Sequence, residues 1–265
     1  MSNIFSKIAQ LFSSNKEGQR PQSTETQVSA SQATTSQSLA SYSRPAINLT
    51  HIDLPTAPSF GTRSLEEVRA AAEAGDAEAQ YLLFDYYASG HGEGSDRPTF
   101  EWLTKAAEQG YPLALYTSAL IQIEEKEGTA VPPQALFYLQ ASGERGFSDA
   151  YLQLYHLYRD GKGVEANEDT AINYLRKAME AGSGTAYLIV AKGFLPGNGG
   201  GPIDYDAAYY YAEQAAHLGC PEAVELIIHL LEENLASGDH TELLRYWRRQ
   251  LRPTPHISYN SSSMS

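Results

Sequence analysis

The sequence predicts an all-α protein, an α-solenoid of stacked helix-turn-helix hairpins between a disordered N-terminal arm and a short C-terminal tail. Three observations predict it. Glycines that close Ala-rich helical stretches fall at Gly75, Gly110, Gly146, Gly182 and Gly219, at intervals of 35, 36, 36 and 37 residues. The same residue types return around them. A small residue stands four positions before each (Ala71, Ala106, Ser142, Ala178, Ala215) and an alanine four after (Ala79, Ala114, Ala150, Ala186, Ala223). A large aromatic stands eight before the last four (Trp102, Tyr138, Tyr174, Tyr211). A recurring period of this size marks a repeat architecture. Helix-start signals agree with it: Ser64 with Glu67 and Asp239 with Glu242 form capping boxes, Asp96 and Asp204 suit N-caps, and Pro132 suits a first helical turn.

Residues 1–62 form the arm. Between Pro21 and Ser43, 15 of 23 residues are Ser, Thr or Gln, too few of them apolar to offset the entropy of ordering. Residues 44–62, with Pro45, Pro55 and Pro58, read as an extended lead-in. A short amphipathic helix is expected at 3–12 (NIFSKIAQLF), where Ile4, Ile8, Leu11 and Phe12 fall at helical spacing with Phe5 beside them. It lacks the continuous apolar run and small-residue cleavage site of a secretory signal, and it is too short to span a bilayer. It reads as a docking motif or a weak surface anchor on a flexible linker. Membrane contact is the weaker of the two, because Lys7 is the helix's single cation. A nascent helix without a role, and a helix folded back onto the solenoid, are the alternatives.

The ordered unit spans roughly 63–252, with repeats at about 76–110, 111–146, 147–182 and 183–219 and a degenerate capping pair at 221–251; residues 253–265 read as a disordered tail. Each mark has a physical reason. Glycine just past a helix takes the left-handed C-cap conformation without Cβ strain. The small residues let helix backbones approach closely, and the aromatic fills the wider gap beside that contact. Glycine-rich turns join the two helices of a hairpin: GHGEGSD (90–96), GKGVEAN (161–167) and GNGGGPID (197–204).

The segments AEAQYLLFDYYASGHGEG (77–94) with FEWLTKAAEQG (100–110), and DAYLQLYHLYRDGKGV (149–164) with DTAINYLRKAMEAG (169–182), resemble the Sel1-like repeat family, a relative of the tetratricopeptide repeats. The second unit departs, with Glu125 where the turn glycine should stand. The fourth departs with Gly193-Phe194 and a longer glycine run. The resemblance covers about residues 63–235 and implies a right-handed superhelix whose concave side is lined by the first helix of each pair. In that register, positions three, six, ten and thirteen past each closing glycine face outward. They include Tyr81, Asp85, Tyr116, Leu120, Ile123, Leu152, His156, Arg159, Leu188 and Lys192, a strip apolar enough to expect capture of an extended or helical peptide. Tight coiling, or the arm folding back, would instead bury it.

Charge and chemistry narrow the function. The net charge is −13, and residues 61–244 carry 11 Lys+Arg against 29 Asp+Glu, which opposes nucleic-acid binding. Cys220 is the single cysteine, so disulfides, Cys-based zinc sites and the activity linked to cysteine-rich Sel1-like proteins are not carried over. No catalytic motif is present. Gly161-x-Gly163-x-x-Ala166 follows a helix rather than a strand, and reads as turn glycines instead of a dinucleotide fingerprint. His91, His156, His217 and His229 lack ligand spacing, so no cofactor or metal is expected. Arg245, Arg248, Arg249 and Arg252 cluster on the last helix, either complementing the acidic solenoid or contacting an acidic partner. The expectation is a cytoplasmic, bacterial-type, non-enzymatic scaffold or adaptor. It would bind a protein segment in its groove while the arm recruits a second component, in an assembly, secretion or signalling complex. An inhibitor or immunity-type protein that blocks a toxin or enzyme is the alternative.

Overall fold

A computed structural model describes residues 4–13, 60–61, 63–91, 96–125, 130–197, 203–237 and 240–251. The described residues are helical, with no strand among them. The helices are α1 (Ile4–Ser13), α2 (Leu65–Glu73), α3 (Ala77–Ala88), α4 (Asp96–Glu108), α5 (Pro112–Glu124), α6 (Pro133–Glu144), α7 (Ser148–Asp160), α8 (Glu168–Glu180), α9 (Gly184–Gly193), α10 (Tyr205–His217), α11 (Pro221–Glu232) and α12 (His240–Gln250). They fall into two compact units, one of residues 17–166 and one of residues 1–16 with 167–265. Most of the arm, the C-terminal tail with Arg252, and the Asp239 half of the last capping box lie outside the described residues, as does the side chain of Asp96.

The repeat marks turn out to be parts of one device. All five closing glycines have positive φ, between 80° and 100°. At each, the residue after the glycine donates its N–H to the carbonyl of the small residue four before the glycine: Asp76 to Ala71, Tyr111 to Ala106, Phe147 to Ser142, Ser183 to Ala178 and Cys220 to Ala215, at 3.0–3.2 Å for four and 2.9 Å for Ser183. Each glycine N–H also donates to the carbonyl three residues back, completing a Schellman closure that satisfies the orphan carbonyls of a helix end. The small residue therefore does two jobs. Its carbonyl closes the helix and its small bulk admits a neighbouring one, as when the Ser142 hydroxyl of α6 donates to the Pro112 carbonyl at the start of α5 at 2.7 Å.

In the unit of residues 17–166, α2 and α3 bury Val68, Ala72, Ala79, Leu82 and Leu83, and α3 to α6 bury Tyr81, Phe84, Leu103, Ala106, Ala114, Leu115 and Ile121. Trp102 packs on both groups, the gap-filling role expected of the aromatic. Gln80, buried between them, donates to the Ala72 carbonyl at 3.1 Å and accepts from Gln109 at 2.8 Å, so its amide oxygen and nitrogen are both partnered. Ser64 and Glu67 form the predicted reciprocal capping box. Pro132 stands one place outside its predicted position: it is the N-cap of α6, and Pro133 takes the first turn. The turn after α7 is built on Gly161 and Gly163, both with positive φ, and the Gly163 carbonyl accepts the Val131 N–H at 2.7 Å.

In the other unit, Leu188 packs with Ala215, Cys220 and Ala223. Phe194 and Tyr211 stack at 5.7 Å with rings 4° from parallel. Asp204 caps α10 as predicted, accepting the Ala207 N–H at 2.9 Å. Trp247 of α12 is buried, its indole donating to the Tyr209 hydroxyl at 3.3 Å.

Candidate functional site

The first helices expose a narrower face than the repeat register predicts. Tyr81, Leu152 and Leu188, all six positions past a closing glycine, are buried and not on an open wall. The reason lies in how consecutive first helices meet. Tyr81 of α3 reaches toward α5, with its ring 5.5 Å from Tyr111 and its hydroxyl 3.1 Å from Thr117 Oγ1. Burial pushes the Tyr81 phenol up to about 12. Leu188 of α9 packs on Cys220 and Ala223 at the start of α11 in the same way. For Tyr81 and Leu188, position six is therefore a contact with the following first helix; Leu152 is buried as well, and the three are removed from the predicted strip.

What remains open in the unit of residues 17–166 centres on α5. Tyr116, Leu120 and Ile123 are half-buried and stand at i, i+4 and i+7, one stripe of a helix face. The Tyr116 ring lies 4.9 Å from that of Phe147. Half-buried Asp85 on α3 and half-buried His156 on α7 hold the equivalent of the Leu120 position in their own helices. Burial pushes the Asp85 carboxyl up, opposed by His91, and pushes the His156 imidazole down, aided by the Arg159 guanidinium. Asp149 is solvent-exposed, yet surrounding protein pushes its carboxyl up as well. Arg159 is less available than its position suggests: it is paired with Asp160, at 2.5 Å for Nε to Oδ1 and 2.9 Å for Nη2 to Oδ2, and its guanidinium lies 5.3 Å from the Tyr155 ring centre.

The predicted N-terminal docking helix is present as α1, and its seat is on its own chain. It lies against α8 and α9. Ile8 and Ala9 are fully buried, Ile4 and Phe12 nearly so, Phe5 is half-buried and Leu11 is 58% exposed. Phe12 meets Tyr211 edge-to-face at 6.0 Å, and the Tyr211 hydroxyl donates to the Phe12 carbonyl at 3.0 Å. Lys7 Nζ sits 3.1 Å from both Glu168 and Asp169 carboxylates, which raise its pKa. In the structure this segment is folded back onto its own chain.

The residue that makes the seat is Gly193, eleven positions past its closing glycine. Tyr86, Ile121 and Leu157 hold that position in the other first helices. Gly193 is helical and needs no glycine for its backbone; a Cβ there would stand 3.4 Å from Ile8 Cγ2 and 3.7 Å from the Phe5 carbonyl oxygen. Its departure from the repeat pattern was visible in the sequence, but its meaning was not, because the side chain that fills the dent lies 185 residues earlier.

The remaining candidates are partnered or solvated. Arg245 pairs with Glu242 and Arg248 with Glu232, which favours complementing the unit's own acids; Arg249 is exposed. Lys192 is exposed on α9. Cys220 is buried as the N-cap residue of α11, and burial pushes its thiol up, the opposite of what a reactive cysteine needs. No cluster of three or more His, Cys, Asp or Glu suited to a metal ion occurs among the described residues, and no helix there is long and apolar enough to cross a membrane.

Comparison with known proteins identifies three Sel1 repeats in the chain. Sel1 repeats match at residues 77–111, 149–183 and 186–220, which leaves the departing second hairpin unmatched. An uncharacterized protein of Neisseria meningitidis serogroup B is 33% identical over 197 residues, covering 74% of this chain and 40% of that protein. Chitin synthase regulatory factor 4 of Schizosaccharomyces pombe is 28% identical over 182 residues, covering 64% of this chain and 28% of that protein. The chain thus spans well under half the length of these relatives. The crystal structure of a Sel1 repeat protein from Oxalobacter formigenes is similar at a TM-score of 0.57 with 27% identity, covering 72% of this chain and 76% of that one.

Proposed function

We propose that this chain, a Sel1-repeat protein, is a non-enzymatic scaffold that captures a segment of a protein partner along the first-helix face of α3, α5 and α7. Sel1 repeats typically mediate protein–protein interaction. The observation that carries the reading here is the half-exposed stripe Tyr116, Leu120 and Ile123. Aromatic and aliphatic anchors at one-turn spacing suit an extended or helical peptide, and Asp85, Asp149 and His156 offer polar contacts at the margins. A cytoplasmic setting and a place in an assembly, secretion or signalling complex belong to the same proposal. The inhibitor reading has no residue-level observation of its own.

The test is quantitative co-purification from the native cell with the full chain and with Tyr116→Ala/Leu120→Asp. Partners captured by the parent should fall at least tenfold with the variant, while helical content and melting cooperativity stay unchanged. Undiminished capture by a folded variant rules the α5 stripe out.

A further inference from the structure

We infer that the seat of α1 on α8, α9 and α10 is a second helix-capture site, closed in cis by α1 and filled in a complex by an amphipathic helix of the same chemistry from a protein partner. This deepens the scaffold reading and rests on it, but it uses a different surface. The argument starts from what α1 is not: it lies outside the repeat period, and 46 residues separate Ser13 from Phe60. It acts as an inserted ligand. Ile8 occupies the space that Gly193 leaves on α9, where other first helices carry their own Ile121 or Leu157. A repeat that lacks one core side chain and receives it from a separate helix is built to accept that helix.

The contacts define the chemistry of the occupant. Ile4, Ile8 and Phe12 require bulky apolar residues at i, i+4 and i+8, with a small residue after the central one, as at Ala9. Glu168 and Asp169 require a Lys or Arg just before the central anchor, as at Lys7. Tyr211 donates to the carbonyl of the last anchor, a backbone contact that any helix end could accept. Because α1 is tethered, a partner helix competes against an effective concentration on the order of millimolar or below. Binding in trans is then weak until α1 lets go.

The probe is a fluorescein-labelled peptide of residues 1–16, titrated into full chains by anisotropy. The Ile8→Asp chain, with α1 released, should bind it at least tenfold tighter than the parent chain does, and the milder Lys7→Glu chain should fall between them. Gly193→Leu added to Ile8→Asp should abolish binding, and Tyr116→Ala/Leu120→Asp should leave it unchanged, which separates this site from the α5 stripe. A folded Ile8→Asp chain that binds no peptide overturns the inference. So does loss of the cooperative melting transition in both Ile8→Asp and Lys7→Glu, which would make α1 a core element. Concentration-dependent dimerisation of the parent chain in sedimentation would assign the seat to a second copy and overturn the partner-helix reading.

Discussion

The first helices α5 and α9 solve the same packing problem in opposite ways. On α5, position eleven is Ile121, fully buried in its own repeat's core, and the neighbouring stripe of Tyr116, Leu120 and Ile123 stays half-exposed. On α9, position eleven is Gly193, and the core is completed by Ile8 from α1. One side chain in the repeat register therefore decides whether a first helix is finished or waits for a guest. Position six shows the complement: Tyr81, Leu152 and Leu188 are buried, the first and last of them against the following first helix, while Tyr116, at the same place, is only half-covered.

Substitution at position six should break this comparison most sharply. Tyr81→Ala empties a fully buried, hydrogen-bonded site and should cost about 3–5 kcal/mol in chemical denaturation. Tyr116→Ala should cost about 1 kcal/mol or less, since a half-exposed ring loses part of that burial. Equal losses at the two positions would show that α5 is as sealed as α3. Glycine replacement gives an intermediate effect. Gly146→Ala meets open space but a φ of 91°, so strain alone should destabilise it by about 1–2 kcal/mol. Gly193→Ala, with helical backbone and an ordinary 3.4 Å contact, should be neutral to slightly stabilising. If Gly193→Ala proves as costly as Gly146→Ala, the seat is tighter than its geometry implies.

A smaller effect should appear with pH. Burial holds the His156 imidazole below its ordinary value of 6.5, so the folded state prefers the neutral ring. That contribution is complete above pH 6.5 and is lost as pH falls through 6.5 toward the lower folded value. The melting temperature of His156→Gln should therefore drop less between pH 7.5 and 5.5 than that of the parent, as followed by circular dichroism. A parallel drop in both would place His156 in solvent.

Much of the fold was readable before any coordinates. The closing glycines, the small residues before them and the Ser64–Glu67 and Asp204 caps are local chemistry, and local chemistry is written in consecutive residues. The binding strip was less readable. The register correctly left Asp85, Leu120, Ile123 and Lys192 off the buried face. It misassigned Tyr81, Leu152 and Leu188, because whether position six meets solvent or the next repeat depends on how closely two hairpins approach. Arg159 was placed on the outward face and is paired with Asp160, while Arg248 pairs with Glu232, in keeping with the complementing role that the sequence offered as one of its two options.

By itself the sequence determined the period, the helix ends, the cap chemistry and an acidic composition with a single cysteine. These follow from backbone hydrogen bonding and side-chain type within a few residues. Tertiary structure alone decided that position six is sealed at Tyr81, Leu152 and Leu188 but not at Tyr116, that α1 lies on its own chain, and that Gly193 is a seat for Ile8. The contacts named for these join residues between 27 and 199 positions apart, and contacts of that range are set by the approach distance of packed helices, which no local pattern records.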